Sequence, residues 1–192
     1  TEESFNRVLH NLTSEQGVET EISKWSPIER NSDISINNKV IERKEIWTSG
    51  FVCAFTDKVV SLSPPFQHRW IIKIRKMNGM IDIGMCLENI VKRSGYIYTN
   101  WEQTGHGVYG IGSVGQSFNH SDKLKNLGKL SFEFEAGDQI QVDYNVVDGL
   151  LSFTKNNRES VYEMAVPPAP PDDCYRPCVY LWKVGDSVEL AD

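Results

Sequence analysis

Long apolar runs, an excess of positive charge and abundant cysteine are all missing from this 192-residue sequence. No apolar stretch approaches the roughly 18 residues of a membrane span, and no secretory leader pattern opens the chain. A membrane is therefore not an expected partner. Lys and Arg number 20 against 26 Asp and Glu, a formal charge of −6, so no overall basic field exists to hold a phosphate backbone. Nucleic acid is not an expected partner either. Of the four cysteines, Cys53 (FVCAF) and Cys86 (IGMCL) sit inside apolar runs, where a reduced thiol packs as a small hydrophobe. This usage favours a reducing, cytoplasmic setting. Cys174 and Cys178 form a C-x₃-C pair, but a tetrahedral zinc site would need two further ligands, with His106 and His120 the only plausible donors. No metal and no cofactor are expected.

Catalytic signatures are absent too, although several fragments imitate them. Gly110-Ile111-Gly112-Ser113-Val114-Gly115 satisfies G-x-G-x-x-G literally, but a dinucleotide site needs a buried strand before that loop and a helix facing the pyrophosphate after it, whereas polar aromatic sequence precedes it and Gln116-Ser117-Phe118-Asn119-His120 follows, so flexible loop glycines are expected. The lysine, HRD and DFG elements of a kinase are missing, as is a G-x-S-x-G elbow. Gly128-Lys129 lacks the rest of a phosphate loop. His120-Ser121-Asp122 holds triad residue types, but adjacency in sequence does not align nucleophile, base and orienter in space. Glu133, Glu135 and Asp138 have a spacing reminiscent of sandwich-fold glycosidases, but Phe132 and Phe134 claim the core face and leave the glutamates to the solvated one. The expectation is a chain that is not an enzyme.

What is present is mostly a period of two. Phe5, Val8, Leu9 and Leu12 recur at helical spacing and predict a short amphipathic helix over residues 1–20, or the end of an upstream helix or coiled coil. Thr1 in place of Met agrees with a chain cut from a larger protein. Residues 21–192 read as one β domain. Ile34-Ser35-Ile36 and Lys39-Val40-Ile41 predict a hairpin turning at Asn37-Asn38. Trp70 to Ile74 and Ile81 to Leu87 are β-rich runs around Met77-Asn78-Gly79. Asp148-Gly149 predicts a two-residue type I′ turn, setting Val146 opposite Leu151 and Tyr144 opposite Phe153. The proline-rich run from Val166 to Asp173 lacks ladder donors and predicts a stiff connection between strands. Many short strands separated by turn signals predict an all-β fold, an antiparallel two-sheet sandwich.

Six motifs stand in one order: Ser35-Ile36-Asn37-Asn38-Lys39-Val40, Trp70-Ile71-Ile72-Lys73-Ile74, Ile83-Gly84-Met85-Cys86, Ala136-Gly137-Asp138-Gln139-Ile140, Val142-Asp143-Tyr144 and Leu151-Ser152-Phe153-Thr154-Lys155-Asn156. In that order and spacing the chain resembles a SPRY domain over about residues 25–190. The stretch from Gly105 to Asp122 is similar to a divergent branch attached to zinc-finger and B-box ubiquitin ligases. The resemblance implies a bent β-sandwich whose loops at one end hold a protein or peptide partner, without catalysis. It further implies substrate or partner recognition within a larger ubiquitin ligase or scaffold.

Large aromatics in polar, glycine-containing sequence are the candidate anchors, because they bury much area at little rotamer cost. Tyr96, Tyr98, Trp101, His106 and Tyr109 form one such group, with Trp25 and Trp182 as further candidates. The competing reading is that this loop folds over its own aromatics. Two other functions stay open at this point: a lectin-like or glycan-processing sandwich using Glu133, Glu135 and Asp138, and a structural subunit of an assembly.

Overall fold

The computed structural model describes residues 20–45, 47–61, 66–97 and 100–191. The expected helix over residues 1–20 lies outside the described residues, apart from Thr20. Fourteen strands make up the described fold: β1 (Thr20–Glu21), β2 (Trp25–Arg30), β3 (Ile34–Asn37), β4 (Val40–Arg43), β5 (Val52–Thr56), β6 (Gln67–Lys76), β7 (Ile81–Leu87), β8 (Val108–Gly112), β9 (Ser117–Asn119), β10 (Gln139–Asn145), β11 (Leu150–Lys155), β12 (Ser160–Ala165), β13 (Tyr175–Leu181) and β14 (Ser187–Ala191). One short helix, α1 (Glu88–Arg93), follows β7 directly.

The strands form two sheets. One has the order β12-β11-β10-β6-β14-β4-β3, with β1 added in parallel to β6; the other has the order β2-β5-β13-β7-β8-β9. Apart from β1 every pairing is antiparallel. Alternation in β6 and β10 turns Trp70, Ile72, Ile74, Ile140, Val142 and Tyr144 inward and leaves their partners toward solvent. These side chains meet Ile81, Ile83, Met85, Val179 and Leu181 from the facing sheet in the main core. The expected all-β sandwich is what the chain forms.

The two sheets differ in their outer faces. β5, β7 and β8 are buried at every position, so the outer face of the six-stranded sheet is covered as well. There Cys53, Phe55, Cys86, Cys178 and Tyr180 form a second apolar cluster with Val91, Trp101, Val108 and Phe118. Unbroken apolar runs such as FVCAF are the sequence form of a strand buried on both sides. The cover comes from α1 and from the segments around residues 100–107 and 117–127.

The local details depart from expectation at two places. The first hairpin turns at Asn38-Lys39, one residue later than Asn37-Asn38, with Ile36 opposite Ile41 and Ile34 opposite Arg43. Asn38 takes the left-handed backbone at φ 54°, a conformation asparagine tolerates, and the Lys39 carbonyl receives the Trp25 indole at 2.7 Å. The second hairpin is displaced by two residues: Tyr144 faces Leu151 and Val142 faces Phe153. A two-residue type I′ turn needs two positive φ angles, and here only Gly149 has one. Asn145 instead accepts from the amides of Val147 and Asp148, closing a longer loop, while the Val146 amide bonds to Phe66. A shift of two preserves the face of every side chain, so the core assignment survived. The strands flanking the Met77-Asn78-Gly79 turn lie in different sheets. The chain crosses there from one sheet to the other. The proline-rich run makes another such crossing, from β12 to β13, held by Tyr175 Oη donating to Pro167 O at 2.8 Å.

Candidate protein-interaction surface

Two buried ionic groups shape one end of the sandwich. Arg43 ends β4 with 1% of its surface exposed, opposite the carboxylate of Asp33 at 3.5 Å. Its guanidinium donates to the carbonyls of Glu45, Thr48, Gly50 and Trp182, while Asp33 accepts from the Thr48 amide at 2.9 Å. Glu45, Thr48 and Gly50 are thereby fastened to the turn after β13. The second group is Asp186, fully buried, whose carboxylate accepts from the amides of Asn78, Gly79, Trp182 and Lys183. Charge-assisted bonds of this kind are the stronger ones, and four of them fix the 78–79 and 182–186 turns as one unit.

Trp182 projects from this unit, 38% exposed, and Phe51 stacks on it at 5.8 Å with an interplanar angle of 17°. Lys183 Nζ stands 5.3 Å from the same ring. Trp182 lines two cavities: one of ≈400 Å³ that it shares with Arg43, Thr48, Gly50, Lys183 and Val184, and one of ≈320 Å³ that it shares with Gly50, Phe51, Met80, Asp82, Trp101, Gln116, Phe118 and Leu127. Trp47, 83% exposed, rises from the adjoining loop. Apolar side chains held out to solvent by a rigid frame are what a polypeptide partner can bury.

The aromatic loop is arranged otherwise. Trp101 is 1% exposed and packs edge-on against Phe118 at 4.4 Å and Tyr180 at 4.8 Å. His106 and Tyr109 are buried as well, Tyr109 meeting Tyr175 between the sheets at 5.7 Å. Burial holds the His106 imidazole down at a pKa of about 4, so it is neutral at pH 7. Trp25 is in the core. All four are buried by the domain itself: Trp25 and Tyr109 belong to the inter-sheet core, while Trp101, with His106 beside it, belongs to the cover that the apolar outer face of the six-stranded sheet needs. Tyr96 is half-buried, its hydroxyl donating to Glu29, and burial followed by that carboxylate pushes its pKa up. Tyr98 lies outside the described residues. Of the expected anchors among the described residues, Trp182 alone lines both cavities with an exposed ring.

Trp47, Phe51 and Asp82 were not anticipated. Trp47 carried a usable signal, a tryptophan beside Thr-Ser-Gly, and so did Asp82, a lone acid inside MIDIGM.

The catalytic imitations resolve into structural roles. Gly84 and Gly110 face each other across β7 and β8, and a methyl at Gly84 would lie 2.1 Å from the Tyr109 carbonyl oxygen. Asp138 is occupied by the Glu135 amide, Asn156 and Lys155, and Glu133 pairs with Lys129 at 3.3 Å. His120 accepts from the Gly107 amide, Ser121 bonds to Tyr109 Oη, and Asp122 caps a short 3₁₀ turn. Among the described residues no group of His, Cys, Asp and Glu is arranged to hold a metal, and no helix is long and apolar enough to cross a membrane.

Residues 67–191, well over half of the chain, match the SPRY domain family. The chain belongs to the SPRY family. SPRY domains are known as protein-interaction modules. No curated protein matches the sequence. Among solved structures, the SPRY domain of human HERC1 is similar with a TM-score of 0.65 at 17% identity, covering 88% of this chain and 97% of that one. The TRIM65 PSpry domain follows with a TM-score of 0.62 at 10% identity, covering 96% of this chain and 98% of its own. Stonustoxin is similar with a TM-score of 0.58 at 17% identity over 90% of this chain, which spans only 27% of the toxin chain. At these identities the likeness is one of fold.

Proposed function

We propose that this SPRY domain is a non-catalytic module that captures a segment of a partner protein on the surface centred on Trp182. Trp47, Phe51 and the two flanking cavities extend that surface. The observation that carries the reading is the position of Trp182: an exposed indole that lines two cavities, on a turn that Asp186 and Arg43 hold in place. Preorganisation of this kind lowers the entropic cost of binding. The aromatic loop supports the surface from beneath through Trp101. The structural likeness to SPRY domains of HERC1 and TRIM65 and the family's record as interaction modules support a role as the recruiting arm of a larger ubiquitin ligase or scaffold. Free, largely buried cysteines agree with a cytoplasmic setting.

Affinity purification with mass spectrometry, comparing the domain with its Trp182→Ala variant, tests this reading. Partners retained by the first and lost by the second, at equal thermal stability, support it. Equal capture by both places the binding surface elsewhere.

A further inference from the structure

Among the described residues, the cavity that Trp182 and Trp101 line has a single ionisable group in its lining, Asp82. In β7, Asp82 points away from the inter-sheet core, between Gly112 of β8 and Tyr180 of β13. It is 3% exposed, and its Oδ2 has no hydrogen-bond partner. Gly112 leaves the room it occupies, since a methyl there would come within 2.7 Å of Oδ1. Burial, then the neighbouring Cys178, pushes the carboxyl well above its ordinary pKa. A buried carboxyl without a partner is costly, and this one ties down no turn and no strand end among the described residues. An apolar side chain would serve packing alone better.

We infer that Asp82 is the floor of a subsite that receives a lysine or arginine side chain of the captured polypeptide. The inference rests on the proposed interaction surface and specifies its chemistry. Phe51, Trp101, Phe118 and Trp182 supply apolar and aromatic walls that suit the alkyl stem of a basic side chain and attract its charge. At the bottom the carboxyl ionises and pairs with the incoming cation, in surroundings where such a pair is weakly screened. No Lys or Arg lines the cavity among the described residues, so the position for a cation is open. The chain's net charge of −6 favours a basic segment over an acidic one. An acidic side chain would bring no cation to pair with the carboxyl, and an apolar one would leave it unpaired.

The test is an NMR titration of the full chain with three probes: N-acetyl-lysine methylamide, N-acetyl-arginine methylamide and the uncharged N-acetyl-norleucine methylamide. The lysine or arginine probe shifts the Asp82 and Gly112 amides and the Trp182 indole saturably, and the norleucine probe binds about tenfold or more weakly. The tighter of the two basic probes identifies which residue the subsite takes. Asp82→Asn abolishes the preference for charge. Equal binding of all three probes, an unchanged preference in Asp82→Asn, or no saturable shift at these reporters overturns the inference. Should Asp82→Asn not fold, the comparison of lysine with norleucine on the unaltered protein still decides. A partner captured through Trp182 without any preference for the basic probes would sink the subsite and leave the interaction surface standing. A basic preference without Trp182-dependent capture would do the reverse.

Discussion

The Arg43 guanidinium donates to the main-chain carbonyl of Trp182, so a residue at the end of β4 sets the position of an aromatic ring far along the chain. The same group faces Asp33, which in turn accepts from Thr48. A single buried ion pair thus joins three segments of the proposed surface. Replacing Arg43 by Met leaves Asp33 buried without its cation, a change that costs about 3–5 kcal/mol. Urea unfolding of Arg43→Met, Asp33→Asn and the double variant measures this, and the double variant is expected to lose clearly less than the sum of the single losses.

Asp186 is the second fastening. Asp186→Ala removes the acceptor of four buried or half-buried amides and is expected to cost about 2 kcal/mol or more. Hydrogen exchange should quicken at Asn78, Gly79, Trp182 and Lys183 while the amides of β10 and β11 remain protected.

Acid should destabilise the fold through its buried imidazoles. Burial lowers the pKa values of His68, His106 and His120, that of His106 to about 4. A histidine whose folded pKa lies below its free value of about 6.5 stabilises nothing when charged. Its neutral form is tolerated at neutral pH, and stability is lost as pH falls from 6.5 toward 4. For His106 the full loss is about 3 kcal/mol. Unfolding curves across that window should show proton uptake on unfolding, and His106→Gln should reduce the uptake by up to one proton.

Gly84 gives a steric prediction. Because the nearest obstacle to a methyl at this position is the Tyr109 carbonyl of the paired strand, Gly84→Ala must separate β7 from β8. A loss of about 3 kcal/mol or more follows, read by thermal unfolding or by loss of soluble protein.

Much of this architecture was legible in the residues. The period of two and the turn chemistry identified the strands, and the motif order identified the family. Face assignments were robust because a strand has only two faces. Register was less so: Asn145 captured two amides of the following loop and moved the hairpin by two residues, which pattern alone could not reveal since both registers bury Tyr144, Leu151 and Phe153. The site was harder to read. An aromatic residue in a polar loop looks the same whether it turns outward or folds back, and Trp101 folded back. The deciding signal was remote from the loop, in the unbroken apolar runs of β5 and β7, which demand cover on their outer face. Arg43 was hidden for a related reason, because its burial depends on Asp33 and on carbonyls that only the folded chain assembles.

The five tryptophans provide the most direct measurement of the central claim, since their indole N–H resonances sample every layer of the fold. Trp25 and Trp70 lie in the inter-sheet core, Trp101 lies in the covering loop and packs on the outer face of the six-stranded sheet, and Trp47 and Trp182 stand at the surface. When a captured partner is added to the labelled domain, the Trp182 and Trp47 resonances should move to saturation while those of Trp25 and Trp70 stay in place. A partner bound to saturation with the Trp182 and Trp47 resonances unmoved would contradict the account.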